Sequence, residues 1–387
     1  MILGIDASNI RVGGGVTHLV ELLRAAEPRD FGFSKVVVWG SRRTLDQIAD
    51  RPEWLIKKHE PVFEEGILKR ALWQSFSLSK RAREEGCSLL FVPGGSFRGN
   101  FQPVVSMSQN LLPFEWKELR RYGFSMMTLK MMALRYTQGR TFKRAAGVLF
   151  LTEYAKGTVE RSIGCKIGKS GVVPLGLHHR FNARPMIEKI SSIYTRERPC
   201  RLLYVSVVDV YKHQWHVVEA VRLLRDQGYE VKLDLVGPSV EPSGERLEAV
   251  IRDVDPSMSF VSYRGRIPHD EIAQCYKDSD INVFASSCEN MPNILLEAMA
   301  SGVPVACSEL GPMPEVLRDA GVYFDPENPA DICRAIKTLI DDPSMRVRLA
   351  KEASGLVGQY SWKRCADETF GFFREILGRS LRMDLVD

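Results

Sequence analysis

The sequence predicts an α/β protein of two doubly wound domains, and three observations carry that prediction. Short β-rich apolar runs alternate with helical stretches along nearly the whole chain, the pattern of parallel strands buried on both faces. The alternation restarts after Pro199, beyond a polar segment spanning 182–198. The length of 387 residues, at roughly 150 per domain, suits two ordinary cores.

In the first series strands are expected at 2–5, 36–39, 89–92, 104–107 and 147–151, with an edge strand at 172–174. Each run is short, apolar and bounded by turn residues. In the second series strands at 201–205, 232–236, 259–263, 281–285, 303–307 and 321–324 interleave with helices at 216–227, 269–278, 293–301 and 329–341. Such alternation gives Rossmann-like sheets with crossover helices. Ligands of open α/β sheets bind outside the carboxyl ends of the strands, so two such domains facing each other would hold a ligand in a central cleft. The expected division is 1–181 for the first domain, 182–199 for a linker, 200–365 for the second domain, and 366–387 for a final helix crossing back to the first.

Composition narrows the function classes. Hydrophobic residues make up 44% of the chain and charged ones 26%, too apolar and well mixed for disorder. The net charge of +5 conceals a split: residues 1–199 carry 32 Lys/Arg against 18 Asp/Glu, a balance of +14, and residues 200–387 carry 21 against 30, a balance of −9. A half this basic points to an anionic partner. No apolar run reaches the ~20 residues that span a bilayer. The start, MILGIDASN, reads as a strand and not as a secretory signal. The eight cysteines are scattered, with no CxxC pair. They fit free thiols of a reducing compartment, and no metal site is expected. The expected location is the cytoplasm.

The most informative stretch runs from Cys288 to Val305. A strand feeds a loop carrying Glu289, Asn290, Met291 and Pro292; a helix opens near Asn293 and Ile294, carries Glu297 one turn in, and closes at Gly302. Asn293 is expected as the N-cap, and the free amides behind it favour an anion. Two carboxylates flanking an amide-rich helix start suit a polyhydroxylated, phosphorylated ligand.

With Ala298-Met-Ala-Ser-Gly-Val-Pro-Val305 following it, this pattern resembles the nucleotide-sugar signature of the retaining GT-B glycosyltransferases of the family 4 (glycosyl transferases group 1) type. Arg201-Leu-Leu-Tyr-Val-Ser206, Tyr211-Lys212-His213, Leu233-Asp-Leu-Val-Gly237, Tyr263-Arg-Gly-Arg266-Ile267, Gly311-Pro-Met-Pro-Glu315 and Tyr360-Ser-Trp362 extend the resemblance through the second half. Val173-Pro-Leu-Gly-Leu177 resembles the usual end of the first domain. The resemblance implies a GT-B fold and transfer of a hexose, with retention, from a nucleoside diphosphate sugar. GDP-mannose or a UDP-sugar would be the donor, and no other cofactor or metal is implied. Glu297 would hold the ribose, Glu289 would contact the transferred sugar with amides of 290–293 around it, and Lys212 would neutralise the diphosphate. Backbone near Arg266 and Ile267 would face the base. Two departures stand out: Val207 where the family often has an arginine, with Arg264, Arg266 or His213 as substitutes, and Asn290 where a glycine is common.

In the first half, Arg11-Val-Gly-Gly14-Gly15-Val-Thr-His18 resembles the family's glycine-rich first loop and is not GxGxxG. Val104 to Glu115 resembles a segment of polysaccharide-assembly members, with Gln109 where many relatives place a histidine. Gln109 and Asn110 can hydrogen-bond sugar hydroxyls but cannot act as a base.

The segment 117–144 holds Lys117, Arg120, Arg121, Lys130, Arg135, Arg140, Lys143 and Arg144 against one acid, Glu118. Met127, Met131 and Leu134 share one helical face. Two readings remain open: a basic amphipathic helix on an anionic membrane, and a core helix with a solvated basic rim. No nucleic-acid module accompanies the charge. The acceptor implied is a polysaccharide or lipid-linked oligosaccharide, with the enzyme peripheral on the inner face of the plasma membrane. A nucleotide-sugar epimerase on the same scaffold, or a silent sugar- or lipid-binding homologue, are the alternatives.

Overall fold

The computed structural model describes residues 1–177, 181 and 194–383. Most of the expected linker lies outside the described residues. The chain folds as two compact units: the first contains Met1–Leu119, Phe124–Gly176 and the chain from Tyr360 onward, and the second contains Arg120–Gly123 and Leu177–Gln359. Each is built on one all-parallel sheet, which makes the fold an α/β protein with two Rossmann-like units.

The first sheet comprises β1 (Ile2–Ala7), β2 (Lys35–Gly40), β3 (Leu55–Lys58), β4 (Leu89–Val92), β5 (Val104–Met107), β6 (Gly147–Phe150) and β7 (Ser170–Val172), in the order β3-β2-β1-β4-β5-β6-β7. Its central strands are buried along nearly their full length, as a sheet covered by helices on both faces requires. Register is set by pairs such as Ile5↔Val38 and Ile5↔Phe91. The strand order reverses between β1 and β4, the topological switch point of this sheet.

Two edge strands differ from the sequence expectation. β3 was not expected, because Lys57 and Lys58 interrupt its apolar pattern; only Leu55 of its four residues is buried. β7 begins at Ser170, earlier than the expected 172–174, because its pairing with β6 starts at Val148↔Ser170 and Pro174 has no N–H to give a ladder.

The final helix, Trp362–Met383, packs in the first unit. Phe370 meets Phe33 edge-on at 5.9 Å, and Phe373 lies 4.9 Å from Phe91. Phe372 presses so close to β6 that a Cβ on Gly147 would lie 2.7 Å from its ring. The chain crosses into this unit at Tyr360, ahead of the expected 366.

The second sheet comprises β8 (Cys200–Val205), β9 (Val231–Val236), β10 (Val261–Tyr263), β11 (Ile281–Phe284), β12 (Val305–Ser308) and β13 (Val322–Phe324), in the order β10-β9-β8-β11-β12-β13. Here the switch point falls between β8 and β11. Gly237, just after β9, shows how tightly the strand ends pack: its φ is 141°, and a Cβ there would stand 2.0 Å from the Ser206 carbonyl oxygen.

Candidate functional site

In the second unit the loops after β8 and β11, the two switch-point strands, are tied to each other. The Lys212 ammonium pairs directly with the Glu289 carboxylate, joining the two loops. Lys212 is 4% exposed, and its Nζ lies 5.0 Å from the Tyr211 ring centre and 5.7 Å from that of Phe284. Tyr204 in β8 donates its hydroxyl to the Lys212 carbonyl (2.7 Å), fixing the backbone that carries the ammonium. Beside it, His213 Nε2 lies 2.9 Å from Ser287 Oγ, and the Ser287 amide donates to the Tyr211 carbonyl (2.9 Å). The result is a rigid base with one cation and one carboxylate at the place where a doubly wound sheet binds ligands.

The Asn293–Ala300 helix follows directly. Pro292 is its N-cap and Asn293 its first helical residue, which corrects the expectation that Asn293 caps it. Pro292 lacks the side-chain oxygen of a polar cap, and the Asn293 amide donates to the Met291 carbonyl (3.0 Å). The Asn293 Oδ1 is buried with no partner among the described residues. Asn290, Met291 and Pro292 are buried, and Ile294 is half-buried. Glu297 stands half-buried one turn in, near enough to the buried Tyr276 hydroxyl to help burial push that phenol up.

Arg266 is exposed and Ile267 half-buried in the loop after β10. Of the substitutes named for the family arginine at Val207, Arg264 is paired with Glu271 at 3.5 Å. His213 does not serve as a cation: burial lowers it to about 3, so it is neutral near pH 7. The Val207 carbonyl instead accepts from Gln214 Nε2 (2.8 Å), bracing the loop. Arg121, expected among the membrane or acceptor residues, makes a two-pronged pair with Glu327 at 2.6 and 3.0 Å, and its neighbour Tyr122 donates to Asp209 Oδ1 (3.0 Å). Those contacts explain why Arg120–Gly123 belongs to the second unit.

In the first unit, Gly13 (φ 76°) caps a helix that begins at Gly14, and no acid occupies its first turn. A Cβ on Gly15 would stand 2.8 Å from Gln109 Oε1, so the glycine permits the close approach. Gln109 Nε2 donates to His18 Nδ1 (2.9 Å), which leaves the ring proton on Nε2. Burial lowers His18 to about 4, and its Nε2 has no partner among the described residues. At the end of β1, buried Asp6 accepts from Ser8 Oγ (2.6 Å) and Gln74 Nε2 (2.5 Å), and burial raises its carboxyl. Gly14, Gly15, Gln109, Asp6 and Lys130 line one pocket of about 800 Å³.

The basic helix runs Met126–Arg144, with the Ser125 side chain accepting from the Thr128 amide at its start. Of the expected apolar face, Met131 is buried and Met127 and Leu134 are half-buried. Arg135 donates to the Ser162 carbonyl (3.1 Å), while Lys117 and Arg120 are exposed.

Sequence reasoning assigned no role to His18, Asp6 or Arg70. Asp6 had a usable signal, an acid closing an apolar first strand; buried Arg70 had none. Among the described residues no helix is long and apolar enough to cross a membrane, and no cluster of His, Cys, Asp and Glu could hold a metal.

Two parallel-sheet units with these switch-point loops define a GT-B fold, and solved structures share it. HepE from Anabaena, in complex with UDP, superposes with a TM-score of 0.66 at 17% identity, covering 96% of this chain and 99% of its own. Residues 186–355, under half of the chain and within the second unit, match the family model "Glycosyl transferases group 1". Among curated relatives, the sulfoquinovosyl transferase SQD2 of Arabidopsis thaliana is 25% identical over 254 residues, 63% of this chain and 46% of that protein. The O-antigen chain mannosyltransferase B of Escherichia coli is 30% identical over 115 residues, 30% of each chain. The chain thus spans less than half the length of these two relatives.

Proposed function

We propose that this protein is a retaining glycosyltransferase that moves a hexose from a nucleoside diphosphate sugar to a polysaccharide or lipid-linked oligosaccharide acceptor. The observation that carries the proposal is the Lys212–Glu289 pair at the switch point of the second sheet, directly ahead of the Asn293–Ala300 helix start. A buried ammonium and a row of backbone amides suit the departing diphosphate, whose charge grows as the glycosidic bond breaks. Glu289 would accept hydroxyl hydrogen bonds from the transferred sugar, and Glu297 those of the ribose. Gln109, held by His18, would meet sugar hydroxyls as donor and acceptor. In the retaining course a non-bridging oxygen of the departing diphosphate takes the acceptor proton, on the same face of the sugar. The UDP in the HepE structure and the O-antigen chain named in the E. coli relative support the donor and acceptor classes. A hexose such as mannose is the transferred group under this reading.

The basic helix also favours an anionic membrane. Phe124, Met126 and Leu129 stand exposed beside Lys130, which is the composition of an interfacial surface. Sedimentation with anionic liposomes should carry the protein down in low salt, and neutral liposomes should not; equal behaviour removes the membrane from the proposal. For the activity, purified protein is incubated with a panel of nucleotide sugars and a lipid-linked acceptor, and products are identified with their anomeric configuration. Transfer with retention is expected. Sugar interconversion without acceptor would replace the reading with an epimerase, and inversion would remove the stereochemical part. Glu297→Ala should weaken UDP binding about 10- to 100-fold.

A further inference from the structure

The helix Ile67–Phe76 in the first unit turns an arginine inward and leaves most of its large apolar residues outside. Its buried residues are Arg70 and Gln74, one turn apart on the same face. Of its large apolar residues Trp73 packs inward, 4.6 Å from Phe63, whereas Ile67, Leu68, Leu72 and Phe76 are exposed, Leu68 and Phe76 each at 78%. A helix that only supported the fold would place a leucine where Arg70 stands beside Trp73, because burying a guanidinium is costly and burying leucine is favourable.

The buried guanidinium is only weakly compensated from within: Glu64 acts on it through its charge without contact, and burial outweighs it. Arg70 is 9% exposed, yet no carboxylate of the described residues pairs with it. Its Nη1 reaches the Ser8 carbonyl only at 3.4 Å, and its Nε is buried with no partner. Asp6 shares the pocket but is engaged by Ser8 and Gln74. Buried arginines are ordinarily paired with an anion, and one left open toward a pocket awaits its anion in a ligand. The pocket, about 800 Å³, lies at the switch point of the first sheet, lined by Asp6 and Val92 from the ends of β1 and β4. Two further cations, Arg98 and Lys130, line it, are exposed and have no carboxylate partner among the described residues.

We propose that this pocket binds a phosphoryl group of the acceptor, with Arg70 as its fixed cation and Arg98 and Lys130 as its mobile rim. This rests on the glycosyl-transfer reading for the word acceptor, and goes beyond it in assigning the acceptor's charge and the residue that holds it. A planar guanidinium presents two parallel N–H donors to two oxygens of one phosphoryl group. The same helix adds a second feature: exposed Ile67 and Leu68 line the pocket with Arg70, so apolar surface adjoins the cation. A phosphoryl group joined to a prenyl chain would use both, and a water-soluble sugar phosphate would use the cation alone.

The test measures binding to the full chain in saturating UDP, so that the diphosphate site of the second unit is filled. The probes are farnesyl diphosphate, inorganic pyrophosphate and farnesol. Arg70→Gln should weaken farnesyl diphosphate about 10- to 100-fold, and Arg70→Lys should recover part of the loss. Farnesol should bind wild type and variant alike. Should Arg70→Gln fail to fold, the surface variant Arg98→Gln with Lys130→Gln should still weaken diphosphate binding about 10-fold. Farnesyl diphosphate bound more tightly than pyrophosphate, with both sensitive to Arg70, upholds the site and points to a lipid-linked source. Equal affinities with the same sensitivity uphold it and point to a soluble phosphorylated sugar. Unchanged affinity of both diphosphates in the variants overturns the proposal. UDP affinity, measured separately, reports on the donor reading: its absence would sink glycosyl transfer and leave the Arg70 result to stand or fall by itself.

Discussion

Breaking the Lys212–Glu289 pair from either side should damage the second unit more than removing both charges. The two side chains are 5% and 16% exposed, so the Lys212 ammonium has almost no water, and the Glu289 carboxylate little, to replace a lost partner. Truncating one member of a buried pair costs about 3–5 kcal/mol. For Lys212→Met the low end applies, about 3 kcal/mol, because Glu289 retains some solvent contact. For Glu289→Gln the stranded ammonium keeps the faces of Tyr211 and Phe284 at 5.0 and 5.7 Å. Those rings offset about 1 kcal/mol, leaving a cost near 2 kcal/mol. The double variant buries no charge and should lose only about 1–2 kcal/mol, for a coupling energy of roughly 3–4 kcal/mol. Calorimetry on the four proteins reads this out, at roughly 2–4 °C per kcal/mol for a unit of this size. Additivity within about 0.5 kcal/mol would refute the claim that the pair is one buried unit. The same proteins separate structure from function: Lys212→Met should lose UDP affinity about 10- to 100-fold, whereas Glu289→Gln, which frees the ammonium, should bind UDP at least as well as wild type.

Acid should destabilise both units through buried neutral histidines. His18 is lowered to about 4 and His213 to about 3, against ~6.5 in an unfolded chain. The unfolded chain therefore takes up more protons below pH 6.5, and stability falls by up to about 1.4 kcal/mol per pH unit for each group, down to pH 4 and pH 3 respectively. Above pH 6.5 neither contributes a slope. Calorimetry between pH 7 and 5 should show both transitions falling, and His213→Asn should flatten the one from the second unit; an unchanged slope refutes the assignment. Gly237→Ala, with φ 141° and a carbonyl oxygen 2.0 Å from the new Cβ, should cost about 3 kcal/mol or more. Gly13→Ala has φ 76° but open space around it, and should cost only about 1 kcal/mol. Urea midpoints that rank the two alike would contradict the close-approach argument.

The sequence was most legible where burial dictated composition. Strands such as Leu89–Val92 and Val104–Met107 and helices such as Pro329–Asp341 coincide with their apolar patterns, because both faces of a parallel sheet demand them. It was least legible where an edge or a neighbour decided. β3 is half lysine and exists through its pairing with β2. Met127, Met131 and Leu134 do lie toward the interior, yet Phe124 and Met126 do not, so periodicity alone misjudged how much of that segment is covered. The motif from Glu289 to Glu297 was readable as a loop and helix start, but not its pairing with Lys212. That contact joins residues 77 positions apart, and only the β8–β11 adjacency creates it. Arg70 was invisible for a different reason: an arginine among Ile67, Leu68 and Leu72 reads as the solvent side, yet it shares the inward side with Trp73 and Gln74.

The charge split between the two halves also takes a definite physical meaning. The half with the excess of acid carries the proposed diphosphate site, which is a paradox only if charge acts at long range. One unit charge about 4 Å from another interacts by about 4 kcal/mol at an effective dielectric near 20, and buried pairs are little screened. Exposed acids farther than ~8 Å away are largely screened at physiological salt. Lys212, at 4% exposure, belongs to the first case; exposed carboxylates of that half, such as Glu248 and Asp253, face solvent and are screened. UDP affinity should therefore change little between low and physiological salt. The first unit predicts the opposite, since Arg98 and Lys130 are exposed and should draw an anion through solvent. Association of farnesyl diphosphate should slow steeply as salt rises, while its dissociation, governed by buried Arg70, should hardly change. Two ligands with the same salt dependence would mean that net charge, and not placement, governs both sites.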